Sequence, residues 1–255
     1  MAKNERIKSN TEKGNNIINE IENLNKIKKL RCNEFKLKKN SDILFITGCT
    51  SRKKDDEVEI PAFNRYTGSS SSGMLNFFSS FHQRKNSLLD LYVLSAGYGF
   101  IPADAKIKKY DISFNNVDSN LRCEMSKRLN IGGDFHRILN FGYKLIVLRL
   151  GSEYLKALNS VSKENNKLLY EVSNETTICY LRPNEQLKIS LSGGKLIPIV
   201  VPESERKNYG GNNRYQDHIW NKFFDKYKEC PTDEIIKKIS SVKNKDFKDF
   251  KMLLK

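Results

Sequence analysis

The sequence predicts an α/β protein: a central, largely parallel sheet with flanking helices, a basic helical N-terminal extension and a C-terminal β/α portion. Three observations carry that prediction. Two short continuous apolar runs, Ile43-Leu44-Phe45-Ile46 and Leu91-Tyr92-Val93-Leu94, have the composition of strands buried on both faces. Each stops at a loop of small residues, Thr47-Gly48-Cys49-Thr50-Ser51 and Ser95-Ala96-Gly97-Tyr98-Gly99. Stretches with apolar residues at three- and four-residue spacing alternate with them, as helices do. At 255 residues the chain can bury one substantial core. It divides into a basic extension (1–40), an α/β core with glycine-loop motifs (41–160) and a C-terminal β/α portion of the same domain (161–255).

In order along the chain, Ile17, Ile18, Ile21, Leu24, Ile27 and Leu30 form one stripe of an amphipathic helix, flanked by Lys26, Lys28, Lys29 and Arg31. The stripe is expected to pack on the main domain. The lysines either follow a phosphate track or form a solvated face. The first strand and its loop come next, then Pro61-Ala62-Phe63-Asn64-Arg65-Tyr66-Thr67-Gly68-Ser69. A serine-rich turn enters a helix around Met74–Phe81, which is either an anion site at a helix N-terminus or an ordinary capped start. The second strand leads through Ile101-Pro102-Ala103-Asp104 to Lys109-Tyr110-Asp111-Ile112-Ser113-Phe114. A helix over Asn120–Asn140, broken or bent at Gly132-Gly133, precedes a strand over Lys144–Leu150 and another strand-loop-helix turn at Gly151-Ser152-Glu153-Tyr154. Shorter strands follow at Leu168–Val172, Thr176–Leu181 and Leu196–Val201, and Gly193-Gly194 supplies a turn before the last. The segment from Pro202 to Tyr215 combines glycines, cations and aromatic rings and leads into a helix with His218 and Trp220; the lysine-rich tail from Asp233 is helical.

In open α/β sheets ligands bind beyond the carboxyl ends of the strands, where glycine admits close backbone approach. The small-residue loops are therefore expected to line one cleft. The formal net charge of +15, from 45 Lys and Arg against 30 Asp and Glu, favours a polyanionic partner, and DNA is the expected one. A Lys-, Asn- and Ile-rich composition of the kind an AT-rich genome produces accounts for part of the same excess. The five cysteines, Cys32, Cys49, Cys123, Cys179 and Cys230, include no Cys-x-x-Cys pair, and His82, His136 and His218 complete no zinc spacing. No metal and no cofactor are expected, since Walker A and Gly-x-Gly-x-x-Gly patterns are absent as well. Neither a signal peptide nor an apolar span is visible, so a cytoplasmic protein without a membrane partner is expected.

The order of these motifs resembles the YaaA-like superfamily, which is related to domains associated with tRNA-guanine transglycosylases and archaeosine synthesis. The likeness rests on the first strand followed by Gly48-Cys49 and Lys53, Pro61-Ala62 with Tyr66-Thr67-Gly68-Ser69, Leu94-Ser95-Ala96 with Tyr98-Gly99, Tyr110-Asp111 with Ser113-Phe114, and the strand ending at Leu150-Gly151-Ser152-Glu153-Tyr154. It covers about Ser41 to Leu158. It implies nucleic-acid or nucleobase chemistry, including cleavage of an N-glycosidic bond, and in some relatives a DNA glycosylase directed at modified phage bases. Other members of the family bind DNA without catalysis. The zinc-binding cluster of the transglycosylases is missing, which argues against base exchange.

Cleaving a base from deoxyribose places positive charge on the sugar and negative charge on the base, so a carboxylate near the sugar and donors around the base lower the barrier. Asp111 is the leading catalytic candidate, followed by Asp104 and Glu153; a turn-capping carboxylate is the alternative for Asp111. Arg52, Lys53 and Arg65 suit phosphate or base contacts, Tyr66 and Tyr98 suit stacking on an extruded base, and Ser69, Ser95 and Gly99 suit close approach to sugar or phosphate. Cys49, beside cations, is either a substrate-contacting thiol or packing beneath its loop. Arg206, Lys207, Tyr209, Arg214 and Tyr215 are the expected DNA contacts, against the alternative of a surface turn anchored by its aromatics. The expected function is a DNA glycosylase that leaves an abasic site. A non-catalytic DNA-binding protein and a nucleoside or tRNA-base transferase are the alternatives.

Overall fold

The computed structural model describes residues 2–50, 52–67, 89–160, 170–182, 191–211, 214–242 and 246–255. Its centre is a six-stranded sheet in the order β10-β8-β6-β1-β3-β4. These strands are β1 (Ile43–Gly48), β3 (Asp90–Ser95), β4 (Gly99–Pro102), β6 (Leu145–Arg149), β8 (Thr177–Arg182) and β10 (Lys195–Val200). All neighbouring pairs are parallel except β3 with β4, which closes one edge as an antiparallel hairpin around Ala96-Gly97-Tyr98. The expected α/β class and mostly parallel sheet are therefore present. Short ladders join β2 (Ile60–Pro61), which runs into the one-turn helix α2 (Ala62–Arg65), to β5 (Lys106–Ile107), and β7 (Tyr170–Glu171) to β9 (Leu191–Ser192).

The central strands are buried along their whole length, which is why they read as unbroken apolar runs rather than as alternation. On one face Phe45 meets Trp220 and Phe224 of α7 (Tyr215–Tyr227) at ring-centre distances of 6.3 and 6.0 Å. On the other face Tyr154 of α5 (Ser152–Ser160) lies so close to Gly48 that a Cβ there would stand 3.2 Å from the tyrosine ring. Layers of this kind bury both sides of one sheet.

The long N-terminal helix α1 (Ala2–Leu30) docks on its own domain through Ile21 and Leu24, both buried. Lys28 on this helix reaches across to the carbonyl of Tyr98 at 2.9 Å. The helix expected over Asn120–Asn140, broken or bent at Gly132-Gly133, is broken into α3 (Ser119–Arg128), capped by the Asp118 carboxylate, and α4 (Ile131–Leu139). The break falls at Asn130, which takes a left-handed φ of 52°. Gly133 stays helical because its missing Cβ makes room for the Asn130 side chain, 2.5 Å from where a Cβ would stand. Past β10, the helices α6 (Glu203–Asn208), α7, α8 (Thr232–Ser240) and α9 (Phe247–Leu253) complete the chain. Short Asx caps and a two-sided core thus determine element ends that apolar spacing alone places within a residue or two.

From β1 the chain crosses to β3 on one side, and it later returns to β6 on the other. The carboxyl ends of β1 and β6 thus form a topological switch point, the position where open α/β sheets bind ligands.

Candidate active site

The turn after β1 is tied to β3 by the Cys49 amide, which donates to the Leu94 carbonyl at 3.0 Å. That bond turns Cys49 inward, where its Sγ lies 2.9 Å from the Tyr154 hydroxyl and accepts from the Ala96 amide at 3.4 Å. One strand over, Ser95 Oγ accepts from the amides of Gly97 (3.2 Å) and Tyr98 (3.0 Å) and lies 2.7 Å from the Tyr110 hydroxyl. The Tyr110 hydroxyl is also 2.9 Å from that of Tyr66. Cys49, Tyr66, Ser95, Tyr110 and Tyr154 are all buried, and together they form a cluster of hydroxyls and a thiol across the ends of β1, β3 and β6.

Lys53 covers the cluster. Its ammonium sits 4.3 Å from the centre of the Tyr110 ring and donates to the Ile112 carbonyl at 3.3 Å. Burial lowers the Lys53 pKa, against the opposing field of Cys49, Asp111 and Glu20. Burial pushes the phenols of Tyr66, Tyr110 and Tyr154 far up, so they stay protonated at neutral pH and act as donors rather than bases.

Gly97 lets this cluster close. A Cβ there would fall 2.8 Å from the Tyr110 ring and 2.9 Å from Leu24 of α1. Gly99 holds φ of 69°, and a Cβ on it would meet the Leu129 carbonyl at 2.8 Å, so its role is the hairpin turn itself.

Several residues expected in the cleft are placed elsewhere. Asp111 is exposed while Tyr110 and Ile112 on either side are buried. In this extended segment, alternation sends the tyrosine inward and the aspartate to the rim. Asp104 follows β4 at the opposite end of the sheet, lining a groove with Lys36, Lys38 and Asp90 where β3 begins. Glu153 pairs with Arg122 of α3 and, at 2.7 Å, with Lys156 on its own helix. Arg65 is fully buried, and its guanidinium donates to the carbonyls of Lys54 (2.9 Å), Asp56 (2.8 Å), Val58 and Ile107 (3.1 Å). It is a clamp on the 52–60 loop and offers nothing to a phosphate. Tyr98 is also a core residue, with its ring stacked on Phe35 at 5.7 Å and edge-on to Tyr110 at 5.5 Å. Its phenol is pushed up to about 12 by burial. Arg52 is exposed at the mouth, and its carbonyl accepts from the Thr67 amide. Ser69 and the helix expected at 74–81 lie outside the described residues.

Of the expected DNA contacts, Tyr215 is buried at the start of α7, which closes its ring to base stacking, while Tyr209 is half-buried and packs edge-on against Phe247. Lys207 and Arg214 are exposed, and Arg206 is half-buried.

Spacing alone did not single out a second polar group on the α7 face of the same strand ends. Arg149, the last residue of β6, stands in register with Thr47 of β1 and donates to its Oγ1 at 3.3 Å. Arg149 also holds the buried carboxylate of Asp217, 2.6 Å from Oδ1. A charged residue closing an apolar strand is the signal in the sequence for this group; its partner, about seventy residues on, has none.

Among the described residues no group of three or more His, Cys, Asp or Glu is placed to hold a metal ion, and no helix is long and apolar enough to cross a membrane. No protein-family model matches the chain, and no curated protein or solved structure matches it.

Proposed function

We propose that this chain is a DNA glycosylase that hydrolyses the N-glycosidic bond of a modified base and leaves an abasic site. The observation that carries the reading is the buried cluster of hydroxyl donors, Tyr66, Tyr110, Tyr154 and Ser95, with the Cys49 sulfur among them, beneath Lys53 at the switch point. Donors fixed in a low-dielectric site favour a group that gains negative charge as it leaves, as a departing base does. The C1′–N bond breaks with its electron pair moving to the base nitrogen, which takes a proton. Water bonds to C1′ and gives up a proton. Asp111 stands at the rim within the electrostatic reach of Lys53 and serves the incoming water from there. Since a base within a duplex cannot reach a buried cluster, the target is extruded first. The net charge of +15 supports the DNA partner, and Lys207 and Arg214 supply backbone contacts near the strand ends. The resemblance to YaaA-like proteins supports modified bases as the target, defence against phage as the setting and the cytoplasm as the place.

The displaced carboxylates favour one competing reading, a DNA-binding protein without catalysis. Incubating the purified chain with genomic DNAs carrying ordinary and hypermodified bases, with no added metal or nucleotide, separates the two. Free base by mass spectrometry, with alkali-labile sites in matching amount, is expected from one modified DNA. Salt-sensitive binding to every DNA with no base released from any would leave the binding reading in its place.

A further inference from the structure

A glycosidase also needs negative charge near the sugar, and the carboxylates that stand out in the sequence are exposed, remote or already paired. Asp90, Asp134 and Asp217 are the buried carboxylates among the described residues. Asp90 opens β3 at the far end of the sheet, and its oxygens accept from the Asn40 and Ser41 amides and the Tyr143 hydroxyl. Asp134 on α4 is paired with Lys28 and Arg137. Asp217 alone lies at the carboxyl ends of the strands.

We infer that Asp217 is the carboxylate that faces the cationic sugar at the carboxyl ends of β1 and β6, with Arg149 as its positioning residue. The inference rests on the glycosylase reading and adds the half of the chemistry that the donor cluster lacks. Arg149 approaches Asp217 with both Nε and Nη2, and both contacts fall on Oδ1. No described residue donates to Oδ2. Next to it in sequence, Gln216 donates to the Leu150 carbonyl at 3.3 Å, while its buried Oε1 has no hydrogen-bond partner among the described residues. Polar atoms left open at a buried strand end are what a sugar and its hydroxyls would satisfy. Thr47, which orients Arg149, lies two residues before Cys49, roughly 7 Å along an extended chain. Carboxylate and donor cluster thus flank the carboxyl ends of β1 and β6 from the two faces of the sheet, Asp217 on the α7 side and Tyr154 on the α5 side.

The charged and titratable groups facing Asp217 are Arg149 from β6 and Arg214 and His218 around the start of α7. Burial outweighs them and raises its pKa to about 6. It is therefore ionised at neutral pH yet poorly solvated, which strengthens its attraction for a cation forming beside it.

Binding of two oligonucleotides tests this without any turnover. One carries a pyrrolidine abasic analogue, whose protonated ring mimics the sugar cation; the other carries neutral tetrahydrofuran. At about pH 7.5 the wild type is expected to prefer the cationic analogue by about tenfold or more. Asp217→Asn should bring the two affinities to within about twofold of each other, and the exposed Asp104→Asn should keep the preference. In the wild type alone, the preference should vanish below about pH 5 as the carboxyl takes up its proton, so a poorly folding variant does not remove the test. No cation preference in the wild type, or one that survives Asp217→Asn or acid, would overturn the inference. A preference lost in Asp217→Asn by a protein that releases base from no DNA would keep Asp217 as the cation-facing group and remove the glycosylase reading.

Discussion

Arg65→Met separates a structural clamp from a ligand contact at a residue whose sequence context suggests the latter. The wild-type guanidinium donates to four backbone carbonyls and has no solvent exposure. Hydrogen bonds from a charged donor contribute about 1.5–3 kcal/mol each, so the gross loss on removing four is about 6–12 kcal/mol. Much of it is recovered. Lys54, Asp56 and Val58 are exposed, so their carbonyls rehydrate, whereas the buried Ile107 carbonyl cannot. Relief of the guanidinium's own desolvation also offsets part of the loss. The net destabilisation is then about 3–4 kcal/mol, or a Tm lower by about 10 °C for a chain of this size. Urea titration read through the fluorescence of Trp220, the sole tryptophan, measures it directly, since that indole is packed against Phe45 and Phe250 in the core. Arg65→Lys should recover little, because a point ammonium cannot reach carbonyls arranged around a planar fork. Stability within about 1 kcal/mol of wild type, with oligonucleotide affinity down about tenfold, would show that Arg65 faces ligand and refute the clamp.

Tyr110→Phe deletes the hydroxyl that joins Ser95 to Tyr66 and should slow base release by about a hundredfold while costing about 1 kcal/mol of stability; single-turnover rates and denaturation curves read the two effects separately. Gly97→Ala forces a Cβ into the Tyr110 ring and Leu24, so a loss of about 1–3 kcal/mol and a comparable loss of activity are expected. The raised pKa of Asp217 has a definite sign in stability. The folded carboxyl binds its proton more tightly than the unfolded one, so stability falls as pH rises from the ordinary aspartate value of 3.8 through about 6. Relative to Asp217→Asn, the wild type should lose about 3 kcal/mol across that window, measured as parallel urea titrations at several pH values. A flat difference would show that the carboxyl is not desolvated.

The sheet was legible because burial on both faces leaves continuous apolar runs, and the loops at Gly48-Cys49 and Ser95-Gly99 marked the carboxyl ends of β1 and β3. The candidate site was legible as a location more than as a set of side chains. Tyr110-Asp111 drew attention to the carboxylate, which chemistry makes conspicuous, but extended alternation buries the tyrosine instead. Arg65 looked like a phosphate ligand because a sequence cannot show four carbonyls converging on it from the 52–60 loop and β5. Asp104 fell at the wrong end because β4 reverses direction after the Gly99 turn, carrying whatever follows back toward the start of β3. The Arg149 and Asp217 pair joins β6 to α7 across long sequence separation, so no local spacing announces it.

Release of base from modified DNA by wild type and Tyr110→Phe, followed in single turnover with abasic sites counted against free base, tests the central claim most directly. One abasic site per base released by the wild type, and a rate about a hundredfold lower in a folded Tyr110→Phe, is the expected result. Equal rates in the two proteins, or abasic sites without free base, would contradict the role given to the donor cluster.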